Sequence, residues 1–170
     1  MTDDALTVRA ADAREIGELA RLWFDGWHDA HARIVPAELT RLRTLENFRD
    51  RLRAALATVR VAGRPLAPIG LYMLKDAELY QFYVSAPARG SGVAAVLMAD
   101  AERRLAGSGV DTAWLACAIG NERAARFYEK CGWRRSGTIV TESETSEGTF
   151  QLPVWRYEKL LTRRASTSAR

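Results

Sequence analysis

The sequence predicts an α+β domain, with a mixed, mostly antiparallel central sheet flanked by helices, and three observations carry that expectation. Stretches of period-two alternation and stretches with apolar residues every three to four positions succeed one another as strand, two helices, three strands, helix, strand, helix, two strands. The middle strands are joined by short turns, as antiparallel neighbours are. At 170 residues, 48% of them hydrophobic, the chain suits one core, so residues 1–161 are read as a single domain and 162–170 as a disordered basic tail.

Leu6 to Ala10 opens as a strand, and Asp12 stands at the N-cap position before Ile16, Leu19, Ala20, Trp23, Phe24 and Trp27 at helical spacing. Pro36 breaks this segment. Leu39, Leu42, Leu45, Phe48, Leu52 and Leu56 then form the stripe of a second helix, and the five arginines between Arg41 and Arg53 read as its solvated face. Thr58 to Val61 and Ile69 to Leu74 are strands around a turn with Gly63 and Pro65, followed by the aromatic strand Glu78 to Val84. Pro87 stops that strand, and Arg89 to Ala94 (RGSGVA) leads into a helix carrying Val93, Val96, Leu97, Ala101 and Leu105 on one side. Asp111 to Ala118, flanked by Gly109 and Gly120, suits a buried central strand. Asn121 caps the next helix and Gly132 ends it, and Thr138 to Glu142 with Phe150 to Glu158 make a closing hairpin about Gly148.

Composition narrows the functional classes. No apolar run approaches the ~20 residues that span a bilayer, and the N-terminus has no basic-then-apolar pattern, so a cytoplasmic protein without a membrane partner is expected. Cys117 and Cys131 lack CxxC spacing and read as core thiols; His28 and His31 have no companion ligands, so no metal site is expected. The net charge of +4 owes part to Arg163, Arg164 and Arg170 and suits an anionic small cofactor. The arginine-rich helix lacks the stacking platform or recognition pattern of a nucleic-acid module, so no nucleic-acid partner is expected.

Gly90 and Gly92 fall where a strand turns into a helix, leaving the first helical N–H groups unpaired at the positive end of the dipole, where an anion fits. The spacing Arg-x-x-Gly-x-Ala, the aromatic strand before it and the downstream segment NERAARFYEKCGW (Asn121 to Trp133) together resemble the GNAT superfamily of N-acetyltransferases. Its acetyl-CoA loop follows Gln/Arg-x-x-Gly-x-Gly/Ala, and the resemblance runs from Leu6 to Leu161.

That resemblance implies acetyl-CoA as the acyl-donor cosubstrate. Arg89, Gly90, Ser91, Gly92, Val93 and Ala94 would take the pyrophosphate; the main chain of Phe82, Tyr83 and Val84 would pair with the pantetheine arm, and an N–H near Val84 would face the thioester carbonyl. Asn121 would contact the arm, Arg126 a CoA phosphate, and Tyr128 would protonate the departing thiolate. Trp27, His28, Asp29 and His31, with Gln81, would line the acceptor side. Many relatives carry a glutamate where this chain has Gln81, which takes no proton at neutral pH; Glu78, His28, Asp29 and His31 are then the candidate bases. A lysine-like amine of pKa ~10.4 costs ~4.6 kcal/mol to deprotonate at pH 7 and an α-amine near 8 only ~1.4 kcal/mol, which favours a low-pKa amine or a water-relayed base.

The implied function is acetyl transfer to a primary amine of a small molecule or peptide, by direct attack in a ternary complex. The missing strand glutamate keeps a second reading open, a catalytically silent acyl-CoA-binding or sensing domain. Trp23, Trp27, Tyr72 and Tyr83 hint at an aromatic-walled acceptor pocket, and a homodimer through the sheet or the C-terminal hairpin is one arrangement found among relatives.

Overall fold

The computed structural model describes residues 6–162; the tail expected at 162–170 lies, apart from Thr162, outside them. Seven strands form one sheet in the order β1-β2-β3-β4-β5-β7-β6. These are β1 (Val8–Ala10), β2 (Val59–Arg64), β3 (Ala67–Lys75), β4 (Glu78–Val84), β5 (Thr112–Ala118), β6 (Arg134–Thr145) and β7 (Gly148–Leu160). All neighbours are antiparallel except β4 and β5. One core packs the sheet against α4 (Val93–Gly107) and α5 (Glu122–Lys130), and the other against α1 (Ile16–His31) and α3 (Leu45–Ala55).

α1 is entered through a turn of 3₁₀ helix fixed by a reciprocal cap. Asp12 accepts from the Arg14 N–H at 2.8 Å, and Glu15 accepts from the Asp12 N–H at 3.1 Å. Glu15 is fully buried. Both its oxygens take Arg9 at 2.7 Å, and one takes the Leu66 N–H at 3.0 Å, tying β1, α1 and the tight β2–β3 turn together.

The single second helix expected from Leu39 to Leu56 is two, α2 (Ala37–Leu42) and α3. Arg43 leaves the helical region at φ −85°, ψ 65°, and Thr44 starts afresh by accepting from the Asn47 N–H at 3.1 Å. Leu42 and Leu45 keep helical spacing across the break, which is why the apolar stripe conceals it. The closing hairpin is also longer than expected. β7 pairs with β5 only as far as Val154 opposite Ala118, and beyond that the hairpin leaves the sheet and folds over α2 and α3. There Phe150 and Leu152 join the α1–α3 core, and Glu147 meets Arg41 at 3.1 Å.

The junction that matters is β4–β5. The two strands pair only where Glu78 faces Trp114, with the Trp114 N–H donating to the Ala77 carbonyl at 3.1 Å. A β-bulge lies just beyond: Met73 of β3 faces Gln81 while Leu74 faces Leu79, so Tyr80 is an extra residue that bends β4 away.

Candidate active site

Past the bulge the parallel strands splay, and their edges stay unpaired. The Ser85 N–H donates to the Ile69 carbonyl of β3 at 2.9 Å. Strand amides alternate in direction, so the N–H groups of Val84 and Phe82 point the other way, into the gap beside β5.

The gap opens into a cleft of about 540 Å³ lined by β4 from Leu79 to Val84, Ala116 to Ala118 of β5, the loop before α4, and α5. At one end Gly90 and Gly92 adopt left-handed φ values of 79° and 90°. Only glycine takes these angles without cost, and an added Cβ at either would meet no protein atom within 4 Å, so the backbone is bare toward the cleft. No side chain caps α4, and its first turn carries no acidic residue. The N–H groups of Val93, Ala94 and Ala95 thus remain open for an anion.

At the other end stands Tyr128, 9% exposed, against the rings of Phe127 and Tyr157. The residue lines the cleft, and its hydroxyl makes no hydrogen bond to another described residue. Burial raises its pKa, so the phenol keeps its proton at neutral pH. Beside it, burial pushes the Cys117 thiol up to about 12, leaving it uncharged.

A second cavity of about 720 Å³ lies under α1, α3 and the overhanging hairpin. The two share His31, Tyr80, Gln81, Tyr83, Ala116 and Ala118, so they meet through the splayed sheet.

A match to the acetyltransferase (GNAT) family model spans residues 16–133, more than half of the chain. The chain belongs to the GNAT acetyltransferase family. It is 37% identical over 112 residues to an uncharacterized N-acetyltransferase of Mycobacterium tuberculosis, covering 63% of this chain and 69% of the relative. A GCN5-related N-acetyltransferase structure from Rhodopseudomonas palustris superimposes with a TM-score of 0.71 at 17% identity, covering 95% of this chain and 99% of that one. A putative acetyltransferase from Salmonella typhimurium, solved with acetyl-CoA, gives 0.65 at 15% identity over 98% and 99% of the two chains. GNAT proteins are acyl-CoA-dependent N-acyltransferases, and this chain is an enzyme of that type. The fold expected from sequence is the one observed.

Set against the GNAT pattern, the cofactor-side residues gather at one cleft. Phe82, Tyr83, Val84, Arg89, Gly90, Gly92, Ala94, Asn121 and Tyr128 all line it. Val93 is a core residue whose amide alone is available, and the Ser91 hydroxyl is turned back onto the Ala88 carbonyl. Asn121 caps α5, its Oδ1 accepting from the Ala124 N–H at 3.3 Å. Arg126, expected at a CoA phosphate, is exposed and outside the lining, whereas Arg123 and Lys130 of the same helix are inside it. The sequence gives these three cations one helix face, spaced three and four apart, but not which edge of that face turns toward β4.

The acceptor-side residues divide. Trp27 lines the second cavity, and Gln81 and His31 line both. His31 lies against Trp27 and Tyr83, its Nδ1–H donating to the Trp27 carbonyl at 2.9 Å, which leaves Nε2 as the acceptor; burial pushes its pKa down to about 4, so it is neutral. His28 lines neither cavity: it stacks on Phe24, and its Nε2–H donates to the Arg43 carbonyl at 2.7 Å. Asp29 lies outside both as well. It accepts from Arg123 at 3.0 Å and Arg89 at 2.9 Å, which hold its carboxyl below the usual range and tether α1 to the anion loop and α5.

Glu78, at the apex of the splay, lines the second cavity, and burial pushes its carboxyl up to about 7 despite the opposing pull of Lys75 and Arg156. Glu78 was among the candidate bases, whereas sequence reasoning missed Gly26, where a Cβ would come within 2.8 Å of the Tyr83 ring; only the close approach of α1 to β4 makes that glycine necessary. Cys117 is the core thiol expected, whereas Cys131 is only half-buried because it sits at the C-terminal end of α5.

Proposed function

We propose that the enzyme transfers an acetyl group from acetyl-CoA to a primary amine of a small molecule or peptide by direct attack within a ternary complex. The observation that carries this reading is the meeting of two cavities through the sheet. One has free amides at its mouth and a protonated phenol inside; the other contains a carboxyl with a pKa near 7.

The open amides of the Arg89–Ala94 loop and α4 suit a pyrophosphate, and the unpaired β4 edge suits an extended arm with amides of its own. Acetyl-CoA supplies the activated acyl carbon as a thioester. Counted along the two strands from the Glu78–Trp114 pair, Cys117 and Ala118 come opposite Gln81 and Phe82, and Tyr128 lines the same cleft. In place of the Val84 N–H expected from the sequence, the Phe82 N–H is then the donor that faces the thioester carbonyl oxygen as it gains charge, and the Val84 N–H, nearer α4, holds the arm. Tyr128 O–H donates a proton to the sulfur as it leaves. On the acceptor side, Gln81 and the His31 Nε2 orient the amine, and Glu78, two to three residues along the strand, takes its proton through water.

The rival reading, a silent acyl-CoA sensor, rests on the absence of a carboxylate at Gln81. Glu78 answers it, because the bulge at Tyr80 leaves a carboxyl of suitable pKa in the same cavity. Incubation with acetyl-CoA and a panel of amines, followed by free thiol, separates the two. An acetyltransferase releases thiol in proportion to acetylated amine; binding of CoA by calorimetry without thiol release for any amine would leave the sensor.

A further inference from the structure

Arginines on α2 and α3 fall into two sets. Arg41 and Arg53 are exposed and Arg49 is half-exposed, and each has a carboxylate partner: Glu38 and Glu147 for Arg41, Glu46 for Arg49, and Glu46 with Asp50 for Arg53. Arg43 and Arg51 have none within 4 Å among the described residues, and both line the second cavity. The expectation of one solvated arginine face is corrected accordingly, because the break at Arg43 rotates that side chain inward.

Arg43 is 3% exposed. Its Nη1 donates to the Asn47 Oδ1 at 2.9 Å and to the Glu144 main-chain carbonyl at 2.8 Å, while its Nε is buried without any acceptor. Arg51 lies over the Trp23 ring at 4.3 Å and donates to the Tyr80 hydroxyl at 3.1 Å. The half-buried Arg51 guanidinium lines the same cavity as the buried one of Arg43, and burial with the repulsion from Arg51 pushes the Arg43 pKa down to about 10. Lys75, Glu78, Glu142 and Glu144 also line the cavity, yet none of these carboxylates reaches either arginine.

An unpaired buried cation is costly unless something pairs with it when the protein works. We propose that the second cavity recognises acceptors bearing a carboxylate as well as the amine, with Arg43 and Arg51 holding the carboxylate. This rests on the acetyl-transfer reading above and specifies its substrate class. Arg43 and Arg51 line the same cavity as His31 and Gln81, so an acceptor whose carboxylate sits at the arginines can present its amine at the waist. The fit is to an amino acid or another compact amino-carboxylic acid rather than to a polyamine.

The test uses the acetylated products as probes. N-acetyl-leucine and N-acetyl-phenylalanine, each against its C-terminal amide, are titrated calorimetrically into the protein loaded with CoA. The acids are expected to bind about 10- to 100-fold tighter than the amides, the range a charge-assisted hydrogen bond provides. Arg51→Gln is expected to remove most of that ratio while CoA affinity stays as in wild type. Arg43→Lys serves as the second variant, and since Arg43 also braces the hairpin, the result from Arg51→Gln decides if that protein does not fold. Equal binding of acids and amides, or an unchanged ratio in both variants, overturns the proposal. Failure of CoA itself to bind would instead sink the acetyl-transfer reading, and the same comparison on the free protein would still test the arginines.

Discussion

Replacing Glu78 by Gln tests stability and chemistry at one position. The Glu78 carboxyl is pushed from an ordinary 4.5 up to about 7, chiefly by burial. Its folded pKa thus lies above its unfolded one, and between these values the native state binds the extra proton. Its contribution is fully present below pH 4.5 and is lost as pH rises through 7, after which the loss is constant. A change of that size is worth ~3.4 kcal/mol, which partial solvent contact of the half-buried carboxyl reduces to about 2 kcal/mol. A neutral amide of the same shape escapes this loss. Urea unfolding followed by tryptophan fluorescence should find Glu78→Gln about 2 kcal/mol more stable than wild type at pH 8.5 and within about 1 kcal/mol of it at pH 5. Turnover should move the opposite way: kcat/KM falls about 10²-fold, and the rising limb of its pH profile near 7 disappears. A stability gap of the same size at both pH values would show that the carboxyl is not held protonated. A limb near 7 that survives in the variant would show that another group takes the proton.

Tyr128→Phe should lower kcat about 10²-fold with CoA binding close to unchanged, and full turnover would assign the proton donor elsewhere. Gly92→Ala, at a φ of 90° where no atom obstructs the new methyl, should cost about 1–2 kcal/mol in unfolding free energy from backbone strain alone and weaken CoA in calorimetry. A wild-type midpoint would mean that the loop does not need the left-handed turn. His31, depressed to about 4, contributes stability that is present above pH 6.5 and lost as pH falls through 4, so wild type should lose stability over that window more steeply than His31→Gln. Parallel curves for the two proteins would place the ring in water.

The gathering of the residues expected on the donor side at one cleft was legible because they lie in two short local segments. Gly90 and Gly92 mark a bend that only they can make, and the helix they start supplies the amides; Asn121 and Tyr128 share one helix with the cap and face that the pattern predicts. The acceptor side was not, because it is assembled across the sheet. His28 and Asp29 are neighbours of His31 in sequence but turn to Arg43 and to Arg89 and Arg123, since successive residues on α1 point 100° apart. Arg43 looked like one more solvated cation because Leu42 and Leu45 keep the apolar rhythm across the helix break. Glu78 carried no sign of its shifted pKa, which arises from burial beside Trp114 and under the folded-over hairpin.

On the β5 side, the residues that both cavities share are Ala116 and Ala118, so the passage between them is walled there by small side chains. On the proposed ternary-complex reading, donor and acceptor occupy different cavities and need not queue. Either can exchange while its companion stays, so initial-rate plots should intersect instead of running parallel, and an inhibitor fusing both reactants must be slim at its middle to be threaded through.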